Sequence, residues 1–299
     1  MNDDNDYHLQ KNTIKQISII NRVYFYIERG FFMNRLTGEA ISIGYGEKLI
    51  VNDLNLEIPD GKVTSIIGPN GCGKSTLLKA LSRILNVQTG EVLLDGKNLH
   101  STSTKEIAKK IAILPQSPDV ADGLTVGELV SYGRFPHQKG FGRLSKQDKE
   151  EIEWALNVTG THDFKYRAIN DLSGGQRQRV WIAMALAQKT DIIFLDEPTT
   201  YLDISHQLEI LELVQELNRE QGCTIIMVLH DINQAIRFSD HLIAMKAGEI
   251  VAQGQTEEVL TNEILEEVFN IDAELSTDPR TGKPMLVTYN LLCKHYTKL

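Results

Sequence analysis

The sequence is poor in cysteine, in long apolar runs and in positive charge, and each shortage excludes a class of protein. Its three cysteines lie far apart in 299 residues and lack zinc-ligand spacing, so neither a disulfide framework nor a zinc site is indicated. No apolar run reaches the roughly 18–20 residues that a membrane-spanning helix needs. A net charge of −9 without a basic stripe argues against a protein that grips nucleic acid.

The first 32 residues read differently from the rest of the chain. They open with an acidic run, Asn2 to Asp6, where a secretory signal would be basic. A regular pattern begins only after Met33. We therefore hypothesise that Met33 is the natural start and that residues 1–32 are an N-terminal extension foreign to the native protein. The alternative is a genuine strand or arm.

The body of the chain predicts an α/β fold. Three apolar segments, Val63–Ile67, Ile192–Leu195 and Thr224–Leu229, each run into a stretch of helical periodicity. Continuous apolar strands that alternate with helices indicate a parallel sheet covered on both faces. Residues 38–67 alternate between apolar and polar instead, which predicts two or three strands.

We expect one main domain over residues 33–275. Its stretch from about 118 to 188 has a helical period and predicts a helical subdomain. A C-terminal tail follows at 276–299. It contains a turn-like segment at 278–284 and a predicted last strand over 285–292.

A glycine-rich segment, Gly68 to Ser75, fits the pattern of a phosphate-binding loop, with a strand before it and a helix after it. Glycines let backbone N–H groups point inward at phosphate oxygens, and the helix N-terminus adds positive potential. Lys74 is expected to reach the terminal phosphates and Ser75 to offer its hydroxyl to Mg²⁺. The predicted phosphate contacts are Gly68, Pro69, Asn70, Gly71, Cys72, Gly73, Lys74, Ser75 and Thr76.

Two adjacent carboxylates, Asp196 and Glu197, follow the apolar strand at Ile192–Leu195. A buried strand would carry them to the edge of the sheet where the phosphate loop lies. We expect Asp196 to contact the metal and Glu197 to polarise the attacking water, because phosphoryl transfer depends on positioning and charge stabilisation. A solvated acidic strand end is the alternative.

The segment Leu172-Ser173-Gly174-Gly175-Gln176 resembles the signature motif of ATP-binding cassette (ABC) ATPases. Serine and glycines that open a helix can hold an anion through N–H groups and the helix dipole. The resemblance covers roughly residues 35–255. It implies a P-loop NTPase (RecA-like) parallel-sheet core, an antiparallel β subdomain and an inserted α-helical subdomain. It also implies that Ser173, Gly174, Gly175 and Gln176 bind ATP held by a second subunit.

The same family resemblance suggests four more site residues. Tyr45 lies where the family stacks an aromatic ring on adenine, although a core aromatic is the alternative. Gln116 matches the residue that touches metal and senses nucleotide. Asp203 lies in the loop that crosses the dimer. His230 matches the switch histidine at the γ-phosphate, and with Glu197 it is a predicted catalytic residue.

Longer stretches are similar to importers of iron–siderophore complexes, haem and cobalamin, and most of all to ferric-siderophore ATPases. They are Gly133–His137, Ala183–Gln188, Leu195–Asp203 and His230–Ala235. This resemblance implies ATP and Mg²⁺ as cofactors and a head-to-tail homodimer with two ATP molecules at its interface. It further implies transmembrane permease subunits, an indirect substrate-binding lipoprotein partner, no nucleic acid, and a place on the cytoplasmic face of the cell membrane. Residues 117–140 are the expected permease-docking surface.

Three alternatives stay open from the sequence. The first is a soluble ABC ATPase that acts on DNA or ribosomes, but the chain has one phosphate loop, one signature and no coiled-coil tract. The second is a cassette that imports amino acids, zinc or phosphate. The third is a non-catalytic ATP-binding regulator, which the presence of both Glu197 and His230 disfavours.

Overall fold

The computed structural model describes residues 34–116, 123–138 and 143–292. The extension predicted for residues 1–32 lies outside them. The strands of the described part are β1 (Asn34–Tyr45), β2 (Lys48–Pro59), β3 (Val63–Ile67), β4 (Thr89–Leu94), β5 (Lys97–Asn98), β6 (Ile111–Leu114), β7 (Ile192–Asp196), β8 (Thr224–Val228), β9 (His241–Lys246), β10 (Glu249–Gln255), β11 (Ile271–Thr277) and β12 (Pro284–Leu291).

The helices of the described part are α1 (Lys74–Leu81), α2 (Thr104–Ile107), α3 (Val126–Tyr132), α4 (Lys146–Val158), α5 (Gly174–Ala187), α6 (Ile204–Gln221), α7 (Ile232–Phe238), α8 (Thr256–Val259) and α9 (Asn262–Phe269). Short 3₁₀ turns occur at Leu99–Ser101, Phe135–His137, His162–Phe164 and Ile169–Asp171. Within these ranges no helix has the length and apolar character to cross a bilayer.

The central sheet has the strand order β10-β9-β3-β8-β7-β6. The pairs β9/β3, β3/β8, β8/β7 and β7/β6 are parallel, and β10 closes one edge antiparallel to β9. Every residue of β3, β7 and β8 is buried, as continuous apolar strands predict. The predicted parallel core is therefore confirmed, and the carboxyl ends of β3, β8, β7 and β6 lie side by side.

A second sheet, ordered β2-β1-β4-β5, supplies the predicted antiparallel β subdomain. Its β1/β4 and β4/β5 pairs are antiparallel. Its apolar face packs on one side of the central sheet, where Ile41, Ile43 and the fully buried Phe194 share one core cluster. Helices α1 and α2 belong to this cluster as well, whereas α3 to α9 cover the opposite side of the central sheet in a second cluster. The site-bearing strands are thus fixed between two apolar layers.

The helical subdomain consists of α3, α4 and α5, which pack against one another. Each helix begins at a hydroxyl residue, Thr125, Ser145 or Ser173, that forms a capping box with the residue three positions later. These caps satisfy N–H groups that the first helical turn leaves without partners. The helix starts are therefore determined locally, before any packing.

A buried ion pair ties this subdomain together. Arg134 Nε donates to Asp148 Oδ1 over 2.8 Å, and its Nη1 donates to the carbonyl of Ala187 over 2.7 Å. The two charged side chains are only 4% and 7% exposed. Arg134 lies within the predicted permease-docking surface 117–140, but its side chain is buried and cannot contact a partner there. Its neighbour Phe135 is 58% exposed.

The C-terminal part forms a hairpin of β11 and β12, paired antiparallel. The predicted boundary between residues 275 and 276 falls inside β11, and the predicted last strand is β12. Helices α8 and α9 connect the central sheet to this hairpin. The tail is thus a structured addition that packs on the main domain through α7 and α9.

Arg134→Met is expected to destabilise the helical subdomain by about 3–5 kcal/mol, because it leaves Asp148 as a buried carboxylate without its cation. Burial opposes ionisation, but hydrogen bonds from Ser145 and Arg134 hold the pKa of Asp148 below its ordinary value. The stabilisation is therefore present at neutral pH and is lost in acid as the pH falls through that lowered pKa. Both tryptophans, Trp154 and Trp181, lie in this subdomain, so urea unfolding followed by tryptophan fluorescence measures the loss.

The matched control is Lys146→Met. Lys146 lies 3.7 Å from Glu150 in a pair whose side chains are 93% and 63% exposed. Removing such a surface cation changes stability by less than about 0.5 kcal/mol. Equal effects of the two substitutions would contradict the role assigned to Arg134.

Candidate functional site

The glycine-rich loop connects the buried end of β3 to the start of α1. Gly68 has a φ of 149°, and a Cβ there would lie 2.2 Å from the carbonyl oxygen of Met245. Gly73 is the N-cap residue of α1 with a φ of 109°. These left-handed or crowded positions exclude other residues, since only glycine adopts them without strain. The glycine pattern is thus a steric requirement of a loop folded tightly over β9.

Lys74 fixes the loop from inside. It is 5% exposed, and its Nζ donates to the carbonyl oxygens of Gly68, at 2.8 Å, and Pro69, at 3.0 Å. An ammonium group has three donors, so these two bonds leave one for a phosphate oxygen. A buried cation at the start of a helix makes this loop suitable for an anion.

Ser75 and Asp196 meet where α1 starts and β7 ends. The Ser75 hydroxyl donates to Asp196 Oδ1 over 2.8 Å. Burial raises the pKa of Asp196, and the Ser75 hydrogen bond opposes that rise. A hydroxyl and a carboxylate next to a phosphate cradle are the oxygen donors that Mg²⁺ takes, so the residues present fit this metal.

Glu197 lies just beyond β7 with a φ of 54°, a left-handed conformation that is uncommon for a residue with a side chain. Its carboxylate receives hydrogen bonds from Gln116 Nε2 at 2.5 Å and Thr200 Oγ1 at 3.0 Å. His230 Nε2 lies 2.7 Å from Glu197 Oε1, and the tautomer with its proton on Nε2 donates there. Three partners from three loops thus hold one carboxylate in one orientation.

A cleft of about 270 Å³ lies beside these groups, and neither Asp196 nor Gln116 is part of its wall. Its walls are Asn70, Gly71, Gly73, Lys74, Ser75, Thr76, Glu197, His230 and Ile50. The predicted residues Gly68, Pro69 and Cys72 do not line it; they shape the loop from behind. Cys72 is 3% exposed, and burial raises the pKa of its thiol, so it presents no nucleophile.

Sequence reasoning missed two residues of this site. Ile50 on β2 lines the cleft, and Thr200 binds Glu197. Nothing in the alternating pattern of β2 distinguishes Ile50 from its apolar neighbours. Thr200 could have been found, since it lies three residues after Glu197 in a turn. Tyr45, the predicted adenine contact, is outside the cleft wall at the end of β1 and is 53% exposed, so its ring is free to stack.

The signature residues do not line this cleft. Ser173 is the N-cap of α5, and its Oγ accepts from the backbone N–H of Gln176 over 3.3 Å. Ser173 and Gly174 are exposed. The helix tip is therefore open to solvent.

Asp203 and His206 form a junction behind that tip. Asp203, predicted as a nucleotide contact, is the N-cap of α6, and its Oδ1 accepts from the backbone N–H of His206 at 3.0 Å and from Ser205 Oγ at 2.9 Å. With a further bond to His206 Nδ1 at 2.7 Å, these contacts lower the pKa of Asp203 to about 2. The His206 ring lies against Gly175, where a Cβ would be 2.6 Å from His206 Cδ2.

Comparison with known proteins decides the family. The family model described as ABC transporter matches residues 51–200, which include the phosphate loop, the signature segment and the paired carboxylates. The chain belongs to the ABC transporter family. As an ABC cassette it binds nucleotide and is an ATPase.

Relatives of this ABC cassette match it over most of their length. The iron(3+)-hydroxamate import ATP-binding protein FhuC of Bacillus subtilis is 60% identical over 260 residues, which are 87% of this chain and 97% of that protein. The ferric enterobactin transport ATP-binding protein FepC of Escherichia coli is 49% identical over 253 residues, 85% of this chain and 93% of that protein.

Solved structures agree with the fold. The cassette of an inward-facing ABC transporter of metal-chelate type superposes with a TM-score of 0.73 at 26% identity, covering 85% of this chain and 96% of that one. A dimeric bacterial cassette in a post-hydrolysis state, bound to ADP and phosphate, gives a TM-score of 0.64 at 32% identity, covering 74% and 98%.

Gly175→Ala is expected to destabilise this ABC cassette by about 1–3 kcal/mol, because the new methyl group collides with the His206 ring that Asp203 holds in place. Gly174→Ala is the matched control, since its Cβ would meet only Leu202 Cδ2, at 3.9 Å. Urea denaturation measures both. The double variant Gly175→Ala/His206→Ala should recover most of the loss; failure to recover it would show that another contact demands glycine.

Proposed function

We propose that this chain is the ATP-hydrolysing subunit of an importer that carries iron–siderophore complexes across the bacterial cytoplasmic membrane. The observation that carries the proposal is the 60% identity, over nearly the whole length of both chains, to a protein named for iron(3+)-hydroxamate import. A cassette that imports haem, cobalamin or another metal chelate is the second candidate, favoured by the structural likeness to a metal-chelate type transporter. A role on nucleic acid or ribosomes has no such support.

In this proposal ATP binds with its phosphates on the loop of residues 68–76 and its adenine on Tyr45. Lys74 has one donor left for a phosphate oxygen after its two bonds to the loop carbonyls. The remaining contacts come from backbone N–H groups at the start of α1, which satisfy an anion without any side chain. Phosphate binding thus depends on Lys74 and on the loop conformation that its glycines permit.

Ser75, Gln116 and Asp196 would hold Mg²⁺. Bound Mg²⁺ supplies positive charge that neutralises the phosphate oxygens during transfer. Gln116 uses its Nε2 on Glu197 and keeps its carbonyl oxygen for a cation. The Ser75–Asp196 bond already places a hydroxyl and a carboxylate together at the end of β7.

Glu197 and His230 are the proposed catalytic residues. The Glu197 carboxylate, 10% exposed and held by three partners, can accept a hydrogen bond from water and orient it toward the γ-phosphate. His230 lies within hydrogen-bond distance of Glu197 and on the cleft wall, where its Nε2 can turn to a phosphate oxygen. A residue held in a strained backbone conformation at such a place is typical of pre-organised active sites.

A second copy of the chain completes the site in this proposal. The signature tip at Ser173 and Gly174 is exposed and lies outside the chain's own cleft, so it serves a nucleotide bound elsewhere. Dimeric structures of related cassettes support a dimer. A head-to-tail arrangement gives each ATP one loop and one signature tip, so ATP binding favours the closed dimer.

The membrane partners follow from the importer proposal. The permease subunits dock in this view within residues 117–140, of which 117–122 and 139–140 lie outside the described residues. In the remainder, Tyr132 and Phe135 form an exposed stacked pair with ring centroids 5.1 Å apart. Exposed aromatic pairs of this kind serve as anchors at interfaces. The chain then sits on the cytoplasmic face, and a substrate-binding lipoprotein acts on the far side.

Glu197→Gln is expected to lower the turnover of ATP by about 10²–10⁴-fold, because an amide cannot take the proton or orient the water as a carboxylate does. ATP binding should persist, so the variant should accumulate as an ATP-bound dimer in size-exclusion chromatography. Glu216→Gln, an exposed site on α6, makes the same charge change as a control. Hydrolysis by Glu197→Gln at the wild-type rate would remove Glu197 from the mechanism.

The cargo is tested by uptake of labelled complexes into a strain that lacks this gene. We expect loss of ferric hydroxamate uptake, restored by the wild-type chain but not by Glu197→Gln. Uptake of ferric catecholate, haem and cobalamin is measured in the same cells. Loss confined to one of those three would transfer the assignment to that chelate, and unchanged uptake of all four would overturn the importer proposal.

A further inference from the structure

The C-terminal hairpin of β11 and β12 holds helix α7 at both of its ends. Helix α7 begins at Ile232 with Asp231 as its N-cap, so its position restricts the backbone of His230, one residue before the cap. At each end of α7, one side chain forms hydrogen bonds with main-chain atoms of the other element. Asn233 and Lys283 are those two side chains.

The side-chain amide of Asn233, in the first turn of α7, forms two hydrogen bonds with the main chain of β12. Its Nδ2 donates to the Leu286 carbonyl over 3.0 Å, and its Oδ1 accepts from the Leu286 N–H over 2.8 Å. Leu286 itself is buried in the core cluster that contains the apolar residues of α3 to α9. This two-bond contact lies three residues after His230 and leaves the helix start little freedom to shift along the strand.

Lys283, the residue before β12, reaches the other end of the same helix. Its Nζ donates to the carbonyl of Ile236 over 3.1 Å and to that of Ser239. The carbonyls of a last helical turn lack partners within the helix, and a cation there also matches the helix dipole. Burial lowers the pKa of Lys283, while the charges of Asp240 and Glu257 oppose that change.

The helix is in turn connected to the catalytic cleft and to α6. Asp231 caps α7 by accepting from the Gln234 N–H over 2.8 Å. Gln234 Nε2 also donates to Gln207 Oε1 over 2.6 Å, which joins α7 to the helix that begins at Asp203. His230, one residue before the cap, contacts Glu197 at 2.7 Å.

Hydrogen bonds add to the apolar packing between α7 and the hairpin, where Leu286 belongs to the same buried cluster as Ala235, Ile236 and Phe238. A cavity of about 300 Å³ separates the helix and the hairpin on the side of Asp231 and Arg237, with Asp278 and Arg280 on its far wall. The hydrogen bonds of Asn233 and Lys283 are the directional links between the two elements beside this cavity.

We propose that the hairpin is a positioning element for catalysis, with Asn233 and Lys283 as positioning residues that act through His230. The inference rests on the proposed catalytic role of His230. ATP turnover would then depend on two residues that contact neither the nucleotide nor Glu197. Because displacement of a catalytic group by about 1 Å can cost 100-fold in rate, loss of either link should lower turnover without weakening ATP binding.

The experiment compares Asn233→Ala and Lys283→Met with the wild-type full-length chain. We expect the kcat for ATP to fall by about 10-fold to 100-fold, with the ATP Kd unchanged. Lys283→Arg keeps donors for the two carbonyls and should keep most of the rate. Thr288→Ala is the matched control on β12, because Thr288 is exposed, and its rate should equal that of the wild type.

The double variant His230→Ala/Lys283→Met separates positioning from a general loss of structure. If Lys283 acts through His230, the double variant turns over as slowly as His230→Ala and no slower. A multiplied loss, a parallel rise in the Kd, or a wild-type rate for Lys283→Met would each overturn the inference. A wild-type rate for His230→Ala would instead overturn the proposed role of that histidine.

Discussion

The register of four neighbouring parallel strands is the constraint on which the candidate site depends. Pairing of β3 with β8, β8 with β7 and β7 with β6 brings their carboxyl ends to one edge of the sheet. Ser75 and Asp196, separated by 121 positions in the chain, thereby come within 2.8 Å of each other. A shift of one strand by a single residue would turn every side chain of that strand to the opposite face.

The core of the fold and most of the cleft were predictable because their signals are local. Three apolar strands each end at polar residues: Gly68–Ser75, Asp196-Glu197 and His230. Because neighbouring parallel strands end at the same edge of a sheet, these residues were expected to lie close together. Hydroxyl residues at helix starts, such as Ser145 and Ser173, identify the helix caps for the same reason. The family was identified from these short segments and is confirmed by comparison.

Other features were not predictable because they depend on contacts distant in sequence. Arg134 reads as a solvated loop residue until α4 brings Asp148 against it. Asp203 stays a predicted nucleotide contact, but nothing in the sequence shows that its carboxylate also caps α6 and binds His206. The tail gave no functional signal, since Asn233 and Lys283 acquire their partners only when the hairpin packs on α7. Tertiary hydrogen bonds of this kind leave no periodic trace in a sequence.

The contact between the phosphate loop and the end of β9 has a consequence for the smallest unit that can hold a nucleotide. The carbonyl of Met245 lies where a side chain of Gly68 would be, and the Gly248 N–H donates to the Cys72 carbonyl over 2.8 Å. The floor of the loop is therefore built from chain that is synthesised some 170 residues after it. During synthesis, the glycine loop therefore lacks this part of its packing surface until β9 and the turn at Gly248 have left the ribosome.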